Sequence, residues 1–183
     1  KLDLNHPNPR WTLNIGQLKH RRHFCKTLFM ENNRNKMVSI GGSNSSYQSL
    51  KYVDIHDLNN LNKPSYVTMM NYKRMYPGAC ILFDECGCGH FNCRHTGNRL
   101  FVGGGFGGKI EDDAISIYNA EIYDMVKDKW MTCFPRKTNY PHTYPSIWVD
   151  AFDKNVVYIG GDLYGIWEAH ELGYVEWLDI REN

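Results

Sequence analysis

The chain has 183 residues, 42% apolar, 22% charged and 14% aromatic, and 21 basic residues against 20 acidic ones leave a net charge of +1. That length makes one domain or part of one, the aromatic content excludes disorder, and the balanced charge argues against a nucleic-acid partner. No apolar run approaches the roughly 18 residues of a membrane span, and Lys1-Leu2-Asp3-Leu4-Asn5 does not read as a signal peptide.

Sixteen glycines and twelve tyrosines favour strands joined by tight turns. In chain order, the first predicted strands cover residues 1–4 and 11–15, the second opening on Trp11. Strands over 23–30, 36–41, 50–56 and 65–69 follow. The run Met37-Val38-Ser39-Ile40 ends in Gly41-Gly42, and the alternating run from Lys51 ends at Asp57. Next come 79–83, 99–102, 115–123 and 130–134. Leu100-Phe101-Val102 ends in Gly103-Gly104, Ala120-Glu121-Ile122-Tyr123 ends at Asp124, and Trp130 opens the last. The final strands are 146–150, 156–159 and 174–178. Val156-Val157-Tyr158-Ile159 ends in Gly160-Gly161, and Val175-Glu176-Trp177-Leu178 ends at Asp179.

One pattern therefore runs three times, and internal repeats of this length point to solenoids or propellers. From Trp11 to Gly41 is 30 residues, and from Trp130 to Gly160 is again 30. Lys63 takes the tryptophan position of the second repeat. From Lys63 to Gly103 is 40 residues, and the excess of ten falls at a cysteine cluster.

Apolar runs, double glycines, a Tyr-Asp pair and a tryptophan at this period resemble the kelch repeat. The resemblance covers nearly the whole chain. It implies an all-β fold, a portion of a kelch-type β-propeller with four-stranded antiparallel blades. Residues 1–16 are then the end of a preceding blade, 21–70 one blade, 77–134 a second carrying a Cys/His insertion at 85–96, and 144–183 a third lacking its last strand. Thirteen strands do not fill four blades, so the sequence reads as part of a larger propeller. Its expected neighbours are the remaining blades or a second copy.

Of the six cysteines, Cys25, Cys80 and Cys133 lie in apolar, strand-like surroundings, where a free thiol acts as a small hydrophobe. That pattern suggests a reducing compartment and a cytoplasmic location. Cys86, Cys88, His90, Cys93 and His95 crowd into ten residues. Such soft ligands suit zinc, but the spacing is not that of paired zinc knuckles, and nothing in the kelch pattern requires a metal. A solvated loop with free thiols, or a local disulfide, remains the plainer alternative.

In a propeller, the loops joining second to third strands share a face with the turns joining one blade to the next. That face carries Arg21, Arg22, Tyr47, Arg74, Phe106, Tyr140, His142, Tyr164 and Trp167. Aromatics and arginines among adaptable polar groups form recognition surfaces, and loops on a rigid scaffold bind partners. The expected function is a non-catalytic module binding a protein or peptide, in the manner of kelch adaptors, with no cofactor beyond a possible zinc. The alternatives are a structural piece of a larger assembly, or a galactose-oxidase-like enzyme. The resemblance implies for that enzyme a copper with Tyr and His ligands and a modified Tyr-Cys pair. No spacing in the sequence singles out such a set. Gly103-Gly104-Gly105-Phe106-Gly107-Gly108 opens no helix, so it reads as a turn and not a phosphate loop.

Overall fold

The computed structural model describes residues 18–30, 35–60, 66–82, 99–109, 112–139, 142–150, 153, 156–162 and 175–179. The described residues form strands and turns with no helix. None therefore makes a helix long and apolar enough to cross a membrane.

The first sheet contains β1 (Lys26–Phe29), β2 (Lys36–Ile40), β3 (Leu50–Asp57) and β4 (Tyr66–Arg74), in that order and antiparallel. The second repeats the plan with β5 (Gly78–Leu82), β6 (Arg99–Gly103), β9 (Asn119–Asp124) and β10 (Lys129–Lys137). Between β6 and β9 lies a hairpin, β7 (Phe106–Lys109) and β8 (Asp112–Ser116). No pattern in the sequence marks it: the glycine-rich stretch reads as a plain loop. The third sheet has β11 (Thr143–Val149), β12 (Val156–Asp162) and β13 (Val175–Asp179). These are propeller-type blades, two of four strands and one of three.

The pairing registers align the repeats residue by residue. Ser39 faces Thr27 and Asp54; Val102 faces Ala79 and Glu121; Ile159 faces Ile147 and Glu176. Counting on from these, Gly41 matches Gly104, and Gly42 matches Gly105. The second repeat's glycine pair is thus Gly104-Gly105, one residue later than the sequence spacing indicates. The backbone explains the shift. Gly41, Gly42, Gly104 and Gly105 all have positive φ, 58°, 96°, 61° and 86°, whereas Gly103 lies in a strand. A Cβ on Gly104 would come within 2.5 Å of the His142 carbonyl oxygen of the next blade, and one on Gly41 would run into that of Arg74. Only glycine allows this approach.

Strand alternation sends one face of each blade against its neighbour. Val38, Ile40, Val53 and Met70 of the first blade pack on Ala79, Ile81, Leu100, Val102 and Tyr123 of the second. Cys80, Phe101, Ala120 and Ile122 from the other face of that blade pack on Val157 and Ile159 of the third. Trp130 joins the first cluster, filling the space between blades as its spacing predicts.

Candidate functional site

The turns entering the first strand of each blade end on one face of the molecule. There they pair with the loops that follow the second strands: His23 bridges to Ser43, and Met75 to Phe106. These are the two loop classes expected to share a face.

Each turn carries an aromatic residue at the same repeat position: Phe24, Tyr76 and Tyr144. All three adopt left-handed backbone, at φ 59°, 52° and 50°, and Tyr47 in the first blade's loop does so at 55°. Bulky residues rarely sit there, and each such conformation costs on the order of 1–3 kcal/mol. The surrounding structure must impose it.

The rings form a row across three blades. Phe24 and Tyr76 stack with centroids 4.4 Å apart, and Tyr76 lies 4.3 Å from Tyr144. Tyr47 flanks Phe24 at 6.4 Å, and Phe106 lies 6.3 Å from Tyr76. His23 meets Phe24 and Tyr47 edge-on, and its Nε2 has no hydrogen-bond partner among the described residues. Phe24, Tyr47 and Tyr144 are 37–47% exposed, so the row opens to solvent along one side.

A buried basic residue precedes each aromatic by two residues. Arg22 donates to Asp54 Oδ2 at 2.6 Å and to the carbonyls of Tyr52 and Gly41. Arg74 donates to Glu121 Oε1 at 3.1 Å and to the Gly104 carbonyl at 2.9 Å. Both pairs have fully buried side chains. In the third blade the base is His142, with Nε2 3.6 Å from Glu176 Oε2. The three acids hold the same repeat position, and so do the three bases. Backbone bonds then tie the turns together: Gly42 N–H donates to the Arg74 carbonyl, Gly105 N–H to that of His142, and Tyr76 N–H to that of Phe24.

Tyr76 sits at the centre of the row. Burial, and then the neighbouring phenols of Tyr144 and Tyr47, push its hydroxyl up to about 12. Cys25 follows Phe24 directly and is half-buried as a free thiol. A Cβ on Gly42 would lie 3.0 Å from that of Cys25, so Cys25 and the Arg74–Tyr76 turn flank the same glycine. Cys80 is different. Burial raises its thiol to about 12, so it stays protonated and acts as core. Beside Tyr47, a polar groove of about 690 Å³ is lined by Asn44, Gln48, Ser49, Lys51, Tyr52 and Lys73.

Of the residues expected on the loop face, Arg21 is exposed and Tyr47 joins the row. Arg22, Arg74, Phe106 and His142 are corrected from surface to interior. The two arginines are held by buried acids and carbonyls, His142 is fully buried, and Phe106 packs beneath the row. Tyr140, Tyr164 and Trp167 lie outside the described residues, as do Cys86, Cys88, His90, Cys93 and His95. Among the described residues no group of three His, Cys, Asp or Glu side chains could hold a metal. The sequence reading missed Phe24, Tyr76, Tyr144 and Cys25. For the three aromatics the signal was present, as a ring two residues after Arg22, Arg74 and His142; nothing in the pattern marks Cys25.

No protein-family model matches the chain, and no curated protein matches it. Solved structures do. One is a fungal alcohol oxidase of the AA5 family in complex with copper, with a TM-score of 0.54 and 17% identity. The match covers 80% of this chain and 28% of that one, so the chain spans under a third of that protein's length. At that identity the likeness is one of fold.

Proposed function

We propose that the chain is part of a kelch-type propeller whose row of aromatics forms the substrate side of a copper-dependent, alcohol-oxidising site. The observation that carries this reading is Tyr76, a half-buried phenol in strained backbone that stacks on Phe24, the residue before the free Cys25. Strain of this kind concentrates at functional sites. The copper-containing fold neighbour supports the reading.

The donor set fits in part. The phenol of Tyr76 and the thiol of Cys25 suit the Tyr-Cys pair of galactose-oxidase-like enzymes. No described histidine is seen to join Tyr76, so imidazole ligands would come from elsewhere in the protein. Copper supplies one-electron redox chemistry when bound. The chain's own residues do the rest. Phe24 and Tyr144 clamp the Tyr76 ring between them, and Tyr144 hydrogen-bonds its hydroxyl. The exposed faces of Phe24 and Tyr144 offer an apolar, hydroxyl-tipped surface to a substrate.

The test is copper loading in air followed by peptide mapping. The expected product is a linked pair of peptides carrying Cys25 and Tyr76, short of two hydrogens transferred to dioxygen. Absence of both bound copper and the linked peptides overturns the proposal. The same elemental measurement reads zinc at the Cys86–His95 cluster.

A second reading is favoured by the exposure of Phe24, Tyr47 and Tyr144. The row then serves as a non-catalytic docking surface for a protein or peptide. In that role the chain works in the cytoplasm, where the free Cys25 and Cys80 thiols persist. A stoichiometric partner, released by Tyr144→Ala and bound without copper, favours this second reading.

A further inference from the structure

The polar groove beside Tyr47 is held from two blades. On one side the loop from Asn44 to Gln48 is closed on itself. Asn44 Oδ1 accepts the N–H groups of Ser46 and Gln48, each at 3.0 Å, and Asn44 Nδ2 donates to Gln48 Oε1 at 3.1 Å. Ser49 then ties the groove to the second blade. Its hydroxyl accepts the Gly108 N–H, and its own N–H donates to the Gly108 carbonyl, both at 2.9 Å.

The other side is a break in the first sheet. β3 and β4 pair at Leu50 with Arg74 and at Tyr52 with Met69, so Lys51 alone stands opposite the four residues Met70 to Lys73. Bulges re-aim side chains and are over-represented beside active sites. This one is anchored, because Glu121 of the second blade accepts the N–H groups of Asn71 and Tyr72 at 2.6 and 3.1 Å. Lys51 and Lys73 both line the groove, the first half-buried and the second exposed. Among the described residues neither ammonium group has a hydrogen bond or ion pair, and no carboxylate lines the groove.

The unspent capacity of this lining is mainly donors. Asn44 Oδ1 has both lone pairs occupied, and Gln48 Oε1 already accepts. The Gln48 amide nitrogen, the Ser49 hydroxyl proton and the two ammonium groups are left to donate. Donors of this kind, two of them charged, select an acceptor-rich anion. A volume of about 690 Å³ is that of a small-molecule site. Most such sites are lined by apolar groups, whereas a lining of amides, a hydroxyl and lysines suits a ligand that carries hydroxyls along its length.

We propose that this groove binds a small polyhydroxylated anion, a polyol bearing a carboxylate or a phosphate. Lys51 and Lys73 hold the charge, and Gln48 and Ser49 bond the hydroxyls. Tyr47 borders the groove and flanks Phe24. On the copper reading, on which this step alone rests, the groove fixes the anionic end of a substrate whose alcohol lies against the row.

The test is calorimetric titration of the copper-free protein with a matched set: sorbitol, gluconate and sorbitol 6-phosphate. One or both anions should bind, with sorbitol roughly tenfold weaker or more. The tighter anion identifies the source of the charge. Lys51→Gln and Lys73→Gln should each weaken its binding about five- to tenfold, Lys51→Arg should retain most of it, and high salt should reduce it in the native protein. If Lys51→Gln does not fold, the exposed Lys73→Gln decides alone. No binding of either anion, sorbitol binding as tightly as they do, or unchanged binding in the folded lysine variants overturns the proposal. So does acetate or inorganic phosphate binding as tightly as the polyol anions, since the hydroxyl contacts would then contribute nothing. Copper is absent throughout, so the groove and the Cys25–Tyr76 link fail separately.

Discussion

The indole N–H of Trp130 in the second blade donates to the Thr68 hydroxyl of the first at 3.1 Å. The same ring stacks on Tyr123 with centroids 5.0 Å apart and packs into the core between the blades. One side chain therefore joins two sheets by apolar area and by a directed bond. Trp130→Phe keeps most of the area and loses the bond, which predicts a loss of about 1 kcal/mol. Trp130→Ala removes both, predicting about 3–5 kcal/mol. Urea denaturation of these variants with and without Thr68→Val, as a double-mutant cycle, checks the coupling. Equal effects of Trp130→Phe in both backgrounds would show that the bond contributes nothing.

Arg74 and Glu121 form a buried pair, so removing one partner strands the other. Arg74→Ala and Glu121→Ala should each cost about 3–5 kcal/mol. The double replacement Arg74→Met with Glu121→Leu should recover much of that loss, because an apolar pair has no charge to desolvate. It should still disturb the row, and near-ultraviolet circular dichroism of the tyrosines reads that separately from stability.

Two glycines separate conformational need from sequence pattern. Gly104→Ala meets positive φ and the His142 carbonyl, predicting a loss of about 1–3 kcal/mol or more. Gly160→Ala meets nothing closer than 3.6 Å and has no positive φ, so it should be nearly neutral. Thermal melts of the two variants side by side check this contrast.

The pH dependence at the acid end follows from Asp124 and Asp128. Backbone bonds from Lys127 and Val126 hold the Asp124 carboxyl below the usual range, and the hydroxyls of Tyr123 and Tyr66 do so for Asp128. A carboxylate with a lowered folded value stabilises the fold above its unfolded value, about 3.9, and loses that contribution as pH falls through the folded value. Acid unfolding should therefore begin at higher pH in Asp128→Asn. At the alkaline end the Tyr76 phenol is raised to about 12. The unfolded chain ionises near 10, so stability falls between roughly 10 and 12. Absorbance titration of tyrosinate should lose one late-titrating phenol in Tyr76→Phe, while Tyr66, Tyr123 and Tyr158, which are also raised, still titrate late.

Blade equivalence also predicts accessibility. Ile55, Ile122 and Trp177 hold one repeat position; Ile55 and Ile122 pack between blades, whereas Trp177 is 67% exposed. Iodide quenching should fall sharply in Trp177→Phe and little in Trp130→Phe.

Much of the architecture was legible in the sequence. Alternating runs, the aspartates closing the third strands, and Trp130 are local signals, because strand period and turn chemistry involve only near neighbours. Those signals determined an all-β, repeated, bladed fold, and within the described residues they gave most strand positions to within a few residues, although the expected strand at 115–123 divides between β8 and β9 of different sheets; the strands expected at 1–4 and 11–15 lie outside the described residues. They could not report which charged and aromatic residues turn inward. Arg22, Arg74, Phe106 and His142 read as surface groups, since a basic or aromatic residue in a turn is normally solvated. Their burial depends on acids and glycines that are distant in sequence, such as Asp54 for Arg22 and Glu121 for Arg74. The row of Phe24, Tyr76 and Tyr144 likewise exists only once separate blades stand side by side. Tertiary packing alone brings those rings together, because it alone supplies the low-dielectric surroundings and the backbone constraints that hold a bulky residue at positive φ.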